Sequence, residues 1–240
     1  MGDKSGRIEI LPDPMALARH VAEWITSAAL AANAPFRVSL SGGSTPKALY
    51  GLLASDQFSR RFPWRLVSWY WGDERFVPYD HPESNYGMTR EAMLAKVPVP
   101  PENIHPVPAD GRPEDAARRY QRTLQQAYGA TNLDPARPLF DVTLLGLGPD
   151  GHTASLLPGE PVLEEREQWV AVVAHGRPEI RITMTYPAIE SSRRVAFLVA
   201  GREKAAVLRA IRAGGSQVPA AQVRPVGELV WFVDRAAAGG

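Results

Sequence analysis

The sequence contains no cysteine among its 240 residues. Disulfide bonds, thiolate catalysis and cysteine-ligated zinc are therefore excluded, and the absence is compatible with a reducing compartment. The five histidines, at positions 20, 81, 105, 152 and 175, do not have the spacing of a metal-ligand motif. We therefore expect no metal site in this protein.

The sequence also lacks an excess of positively or negatively charged residues. The 27 basic and 26 acidic side chains leave a formal net charge of +1, which argues against a nucleic-acid partner. No apolar run approaches the about 20 residues that a membrane-spanning helix needs, and the first residues lack the apolar segment of a signal peptide. We therefore expect a cytoplasmic protein without a membrane partner.

Short apolar segments alternate with helical patterns along the whole chain. This order is typical of an α/β fold with a doubly wound, mostly parallel, Rossmann-like sheet flanked by helices on both faces. We find no repeat, no low-complexity block and no linker, which predicts a single domain over residues 1–240 with a frayed tail at 236–240. The predicted strands are 7–11, 36–40, 66–71, 142–147, 169–173, 181–185, 195–199 and 229–233, with a further short one near Ile104. The predicted helices are 14–32, one beginning at 46, 85–96, 113–128, 203–212 and a short one ending at 156–159. Asp13 is placed to cap the first of these helices, and Pro14 lies in its first turn.

The most informative segment follows the predicted strand 142–147. Glycines and a proline interrupt the chain there, and Asp150 and His152 lie within the break. Ligands of open α/β sheets bind at the carboxyl ends of the strands. A histidine can accept a proton from water near neutral pH, and a neighbouring carboxylate can orient its ring. We predict a catalytic Asp150–His152 pair, in which a helix start would keep the imidazole neutral. The alternative is a turn aspartate beside a helix-capping residue.

The same segment contains the string Gly146-x-Gly148-x-x-Gly151, which matches a dinucleotide-binding fingerprint. Pro149 has no N–H group to offer a pyrophosphate, and the carboxylate of Asp150 would repel it. The following predicted strand also lacks the acidic residue that would bind a ribose. We therefore do not predict a nucleotide cofactor.

A second candidate loop follows the predicted strand 36–40 and contains Gly42, Gly43, Ser44 and Thr45. Closely spaced backbone N–H groups, two hydroxyls and a helix N-terminus together favour a phosphate group. The loop is not a Walker motif because no Gly-Lys-Ser/Thr follows. The alternative is an ordinary tight turn with a hydroxyl-bearing helix cap.

Three basic residues lie where they could reach an anion at the same edge of the sheet. Arg75 follows the predicted strand 66–71, Arg181 opens another predicted strand, and Lys204 lies near the start of the 203–212 helix. A guanidinium can bind a phosphate or stabilise a developing oxyanion. The alternative for Arg75 is a solvated charged loop, and for the other two an ordinary surface position.

Five segments, in chain order between residues 36 and 208, resemble the 6-phosphogluconolactonase family. They are SGGSTP, WGDERFVP followed by SNYGM, LLGLGPDGHTASLLPG, RITMTYPAI and AGREKAAVL. The sequence is more distantly similar to the glucosamine-6-phosphate deaminase and isomerase superfamily.

The resemblance implies hydrolysis of 6-phospho-D-glucono-1,5-lactone to 6-phospho-D-gluconate, in the oxidative pentose phosphate pathway and without a cofactor or metal. It implies that His152 is the general base, that Asp150 supports it and that Arg75 binds substrate or stabilises charge. It also implies that the substrate phosphate is held by Gly42, Gly43, Ser44, Thr45, Arg181 and Lys204.

Two alternatives remain open. A deaminase of the same superfamily would need a glutamate in an Asn-Glu-Pro-Gly segment after the histidine. This sequence has leucine there, in Leu156-Leu157-Pro158-Gly159, and Glu160 lies beyond it. A sugar-phosphate-binding regulator would need a DNA-binding segment before the fold. The first predicted strand begins by Arg7 and leaves no room for a helix-turn-helix.

Overall fold

The structure is a computed structural model that describes residues 6–32 and 35–240. Residues 1–5 and 33–34 of the predicted 1–240 domain lie outside the described residues. The strands are β1 (Arg7–Leu11), β2 (Phe36–Leu40), β3 (Val67–Trp71), β4 (Asp73–Arg75), β5 (Ile104–His105), β6 (Val142–Gly146), β7 (Val170–Val173), β8 (Arg181–Met184), β9 (Arg194–Val199) and β10 (Glu228–Asp234). The α-helices are α1 (Pro14–Leu30), α2 (Ser44–Leu53), α3 (Asp56–Ser59), α4 (Asn85–Ala92), α5 (Pro113–Tyr128), α6 (Tyr186–Glu190), α7 (Ala205–Arg212), α8 (Pro219–Gln222) and α9 (Arg235–Ala238).

Seven strands form the main sheet in the order β1-β10-β9-β6-β2-β3-β5, and all neighbouring pairs in it are parallel. From β2 the chain builds the sheet outward through β3 and β5. It then returns to the other side of β2 and continues through β6, β9 and β10. The direction of winding therefore reverses between β2 and β6, where open α/β sheets bind ligands. The predicted doubly wound α/β fold is confirmed.

Local patterns explain why the helices form where they do. Asp13 caps α1 by accepting a hydrogen bond from the backbone N–H of Ala16 at 2.8 Å, and Pro14 occupies the first turn, as predicted. The residues of α1 that are buried against the sheet recur at helical spacing. They are Leu17, Ala18, Val21, Ala22, Ile25, Thr26 and Ala29. The largest fully buried side chains of the core are Trp69, Trp71 and Trp231, each on a strand of the main sheet.

A second sheet of three antiparallel strands, in the order β4-β8-β7, lies beside the main one. Gly72 joins the two sheets, because its N–H donates to the carbonyl of Leu40 and its own carbonyl accepts from Met184. The segment after β3, for which a solvated charged loop was the alternative, forms the strand β4. Its pairing with β8 sets Arg75 directly opposite Arg181. The sequence did not predict this sheet.

Two predicted features are wrong. Turns replace the short helix expected to end at 156–159, since Gly151 and Ala154 have φ angles of +83° and +48°, outside the right-handed helical region. The tail, expected to be frayed, contains α9 instead. Asp234 caps this helix by accepting a hydrogen bond from the backbone N–H of Ala237 at 2.7 Å.

Candidate active site

A cavity of about 260 Å³ opens outside the carboxyl ends of β2, β6 and β9 and beside the small sheet. Its position is the winding reversal between β2 and β6, where the fold favours a ligand. Eight of the nine predicted site residues line it, and Asp150 lies behind His152. The eight are Gly42, Gly43, Ser44, Thr45, Arg75, His152, Arg181 and Lys204.

The 42–45 loop runs from the end of β2 into the first turn of α2. Gly43 has a φ of +104°, a conformation that favours glycine, and it directly precedes the helix. The buried hydroxyl of Tyr50 fixes the loop start, since it accepts from the N–H of Ser41 and donates to its carbonyl at 3.0 and 2.7 Å. Among the described residues, no side chain caps the first turn of α2. Its free N–H groups can therefore bind an anion.

The predicted Asp150–His152 pair is in contact. The Nδ1 atom of His152 lies 2.5 Å from Oδ1 of Asp150. An ionised carboxylate only accepts hydrogen bonds, so Nδ1 carries the proton and the neutral ring has its lone pair on Nε2. Because His152 lies in a turn and not at a helix start, the expected effect of a helix dipole on the ring does not apply. The ring is oriented by side chains alone.

Arg177 is a third member of this group that the sequence did not indicate. Its NH2 group donates to Oδ2 of Asp150 at 2.7 Å and lies 3.3 Å from Nδ1 of His152. Burial by itself would raise the pKa of Asp150, but the hydrogen bonds from Arg177 and His152 outweigh it and hold this pKa well below its usual range. Asp150 therefore stays ionised and orients the imidazole.

The two arginines of the small sheet bring positive charge to the cavity wall. The NH1 group of Arg75 donates to the carbonyl of Glu83 at 2.8 Å and to Oδ1 of Asn85 at 3.1 Å. Arg181 is buried, and this burial lowers its pKa, with Arg75 adding to the effect and the charge of Asp73 opposing it. The Nε atoms of both arginines are buried and have no hydrogen-bond partner in the described part of the chain. Both guanidinium groups belong to residues that line the cavity, and their positive charge suits an anionic ligand.

Three further polar groups complete the wall. Lys204 lies in a 3₁₀ turn after β9, and its Nζ is 3.9 Å from Oε1 of Glu203. The hydroxyl of Thr153 is buried and unpartnered among the described residues. Asp73 accepts a hydrogen bond from the buried hydroxyl of Ser155 at 2.7 Å, which ties the small sheet to the His152 turn. The cavity therefore brings a histidine together with several polar and positively charged groups.

Glu74 lies behind this wall and is buried. Its burial raises its pKa from 4.5 to about 7, although hydrogen bonds from the N–H groups of Tyr86 and Asn85 act in the opposite direction. Because the pKa of Glu74 is higher in the folded protein than in the unfolded chain, protonation of Glu74 stabilises the folded state. This stabilisation has its full value below pH 4.5. This contribution is lost as the pH rises through about 7.

We therefore expect the free energy of unfolding of the wild type to fall, relative to that of Glu74→Gln, as the pH rises from about 4.5 to 7. Urea denaturation of both proteins at a series of pH values measures this difference. The glutamine variant is the control because it cannot titrate at this position. A difference that stays constant across the interval would show that the pKa of Glu74 is not raised.

Residues 6–32 and 35–240 contain no group of three or more histidine, aspartate or glutamate side chains placed to hold a metal ion. In the same ranges, no helix has the length and apolar character needed to cross a bilayer.

Fold and site together define an α/β protein in which a histidine–carboxylate pair and a glycine-rich loop lie at one cavity. A comparison with known proteins identifies the family. Residues 12–231 match the family described as glucosamine-6-phosphate isomerases/6-phosphogluconolactonase. The chain therefore belongs to this family.

Individual relatives match nearly the whole chain. A 6-phosphogluconolactonase from Nostoc sp. is 40% identical, with 96% of each chain covered. A 6-phosphogluconolactonase from Homo sapiens is 39% identical over 93% of this chain and 87% of its own length. The crystal structure of 6-phosphogluconolactonase from Thermotoga maritima superimposes with a TM-score of 0.81 at 30% identity, and covers 95% of this chain and 99% of its own.

Proposed function

We propose that this protein hydrolyses 6-phospho-D-glucono-1,5-lactone to 6-phospho-D-gluconate in the oxidative pentose phosphate pathway. Relatives of that name, about 40% identical over almost the full chain, support the activity. The observation that carries the proposal at the level of residues is the contact between His152 and Asp150 at the cavity. It leaves Nε2 as the ring nitrogen that can accept a proton.

In the proposed reaction, His152 takes a proton from a water molecule, and the resulting hydroxide attacks the lactone carbonyl carbon, C1. The tetrahedral intermediate collapses with cleavage of the bond between C1 and the ring oxygen. The imidazolium returns its proton to that oxygen, so the base is regenerated and the product is an open-chain acid. General base catalysis of this kind contributes about 10²- to 10⁴-fold.

The other residues that line the cavity are proposed to bind the phosphate and to stabilise the negative charge that develops on the carbonyl oxygen. We assign Arg75 to the developing negative charge on the carbonyl oxygen, because its guanidinium lies on the wall that it shares with His152. We assign the phosphate to the loop of Gly42, Gly43, Ser44 and Thr45, assisted by Arg181 and Lys204. The free N–H groups of the first turn of α2 support this assignment.

The deaminase alternative shares the fold and the anion loop. It needs an acid shortly after the histidine, at the position where this chain has leucine. Both Leu156 and Leu157 are buried, and neither lines the cavity. The absence of this acid favours the lactonase over the deaminase.

A coupled assay tests the reaction class directly. Freshly generated 6-phosphogluconolactone is supplied, and 6-phosphogluconate is measured above the spontaneous rate. Glucosamine-6-phosphate is tested in parallel with ammonia as the readout. We expect acceleration with the lactone and no ammonia. Ammonia release without lactone hydrolysis would overturn the proposal in favour of a deaminase, and inactivity towards both would favour a binding protein.

If Lys204 binds the phosphate, Lys204→Ala should raise KM by about tenfold or more and change kcat little. A hydrogen bond to a charged group contributes about 1.5–3 kcal/mol, and the phosphate takes no part in the bond that breaks. Steady-state kinetics of the lactone reaction measures both constants. Arg202→Ala is the matched control, since Arg202 is exposed in the same 3₁₀ turn and does not line the cavity. An unchanged KM for the Lys204 variant would remove it from the phosphate site.

The remaining sequence expectations belong to the same proposal. We propose a single domain, supported by the family match over residues 12–231 and by the junction of the two sheets at Gly72. We propose a cytoplasmic enzyme that acts on a small molecule without nucleic acid. The near-neutral net charge of the chain and the size of the cavity support this part of the proposal.

A further inference from the structure

Asn85 lies between the 42–45 loop, to which we assign the substrate phosphate, and Arg75, to which we assign the carbonyl oxygen. It is the first residue of α4, is 3% exposed and lines the cavity. Its Oδ1 accepts a hydrogen bond from NH1 of Arg75 at 3.1 Å, and its Nδ2 donates to the backbone carbonyl of Asp73 at 3.0 Å. Both ends of the amide are therefore engaged, and its orientation is fixed.

The same amide packs against the phosphate loop. A Cβ atom added to Gly42 would collide with Oδ1, Cγ and Nδ2 of Asn85. The φ angle of Gly42 is not in the positive region, so its backbone conformation does not require glycine. Glycine is required at position 42 because the Asn85 amide lies so close to it. This contact determines the distance between the loop and Arg75.

The backbone of Asn85 is anchored by Glu74. Oε1 of Glu74 accepts from the N–H groups of Asn85 and Arg75 at 2.7 and 2.8 Å. Oε2 accepts from the N–H of Tyr86 and the hydroxyl of Ser84 at 2.8 and 3.1 Å. One buried carboxylate thus ties the strand that carries Arg75 to the start of the helix that carries Asn85. The amide is therefore rigidly held, as a residue that sets a distance must be.

We propose that Asn85 is a positioning residue that fixes the separation between the phosphate loop and Arg75, and so selects lactones that carry a phosphate at the matching distance from the carbonyl. The proposal rests on the proposed function, because it takes the loop as the phosphate site and Arg75 as the carbonyl site. Asn85 acts through these two elements and takes no part in proton transfer. Its loss should therefore affect phosphorylated and unphosphorylated lactones differently.

The test compares kcat/KM for 6-phosphogluconolactone with kcat/KM for glucono-1,5-lactone, which has no phosphate. In Asn85→Ala we expect the ratio of the two values to fall at least about tenfold, since a misplacement of about 1 Å can cost about 10²-fold in rate. The unphosphorylated lactone does not use the loop and should lose less. A purely structural role of Asn85 would lower both values equally and leave the ratio unchanged, which would overturn the proposal.

Thr89→Val is the matched control for damage to α4. Thr89 lies one turn further along the helix, is buried and does not line the cavity. Its hydroxyl donates to the carbonyl of Asn85 at 2.8 Å, so its loss disturbs the same helix without removing the amide. We expect the substrate ratio of this variant to equal that of the wild type. A ratio that falls as far as in Asn85→Ala would attribute the effect to the helix and overturn the proposal.

A double-mutant cycle tests the contact with Gly42 directly. Gly42→Ala introduces a methyl group into the space of the Asn85 amide, and we expect the ratio to fall at least about tenfold. In the Asn85→Ala background the amide is gone, so the same change at Gly42 should reduce the ratio further by less than about threefold. Independent effects that multiply in the double variant would contradict the proposed contact.

The wild type separates the failure of this inference from the failure of the proposed function. If the wild type hydrolyses neither lactone above the spontaneous rate, the proposed function is wrong and the inference falls with it. If the wild type is active on the phosphorylated lactone but Asn85→Ala keeps the wild-type ratio, only the positioning role is wrong.

Discussion

Replacement of His152 by alanine is expected to lower kcat for 6-phosphogluconolactone by about 10²- to 10⁴-fold, with little change in KM. The variant loses the only ring nitrogen that we assign to proton transfer, and general base catalysis contributes about this factor. The groups assigned to substrate binding lie on other elements, after β2 and β9 and on the small sheet. They should hold the substrate as before. Initial rates, corrected for spontaneous hydrolysis, measure both constants.

Two further variants make the result specific. His20→Ala removes a histidine on α1 that pairs with Glu9 and does not line the cavity, and its kcat should equal that of the wild type. Asp150→Asn keeps the shape of the partner but removes the charge that fixes the imidazole, so its kcat should lie between those of the wild type and His152→Ala. Full turnover in His152→Ala would refute the assignment of the base.

Replacement of Gly148 by alanine is expected to lower kcat by about 10²-fold, although all of the proposed catalytic residues are still present. A Cβ atom at this position would collide with Nδ1 and Cε1 of His152 and with Oδ1 of Asp150. The ring and carboxylate must therefore move apart or away from the substrate. A misplacement of about 1 Å at a catalytic group is sufficient for a loss of this size. KM should change little, because the 42–45 loop, to which we assign the phosphate, follows a different strand from Gly148.

Gly51→Ala is the matched control for this substitution. Gly51 lies within α2, and a Cβ atom there would meet no other atom within 4 Å. Activity should therefore be retained, and the free energy of unfolding should rise by about 0.5–1 kcal/mol, because alanine is favoured over glycine in a helix. A Gly148→Ala variant with the kcat of the wild type would show that the geometry of the His152–Asp150 pair is not limiting.

Much of the fold follows from local patterns in the sequence. Short apolar segments predicted strands such as 36–40 and 195–199, and the structure contains β2 and β9 there. Asp13 and Pro14 predicted the start of α1, because capping depends only on neighbours in the chain. The loops at 42–45 and 148–152 were predicted as sites for the same kind of reason, since glycines after a strand favour a turn at its carboxyl end.

Other features depended on contacts between distant parts of the chain. Alternation predicted strand 181–185 but not its partner, and only the tertiary structure pairs β8 with β4 and sets Arg181 opposite Arg75. A short helix ending at 156–159 was predicted after the glycine-rich turn, because a left-handed residue such as Ala154 is not visible in an apolar pattern. Arg177 approaches Asp150 from 27 residues away, and no local motif marks it.

The position of Asn85 is the clearest example of a contact that could not be predicted from the sequence. Its segment, SNYGM, contributed to the family resemblance, but nothing in its composition indicates contact with Gly42, which lies 43 positions earlier in the chain. The sequence by itself determined the periodicity, the caps and the residue types that make this chemistry possible, because these depend on near neighbours. Only the tertiary structure decided which of those residues meet, because strand pairing and side-chain packing join segments that are remote along the chain.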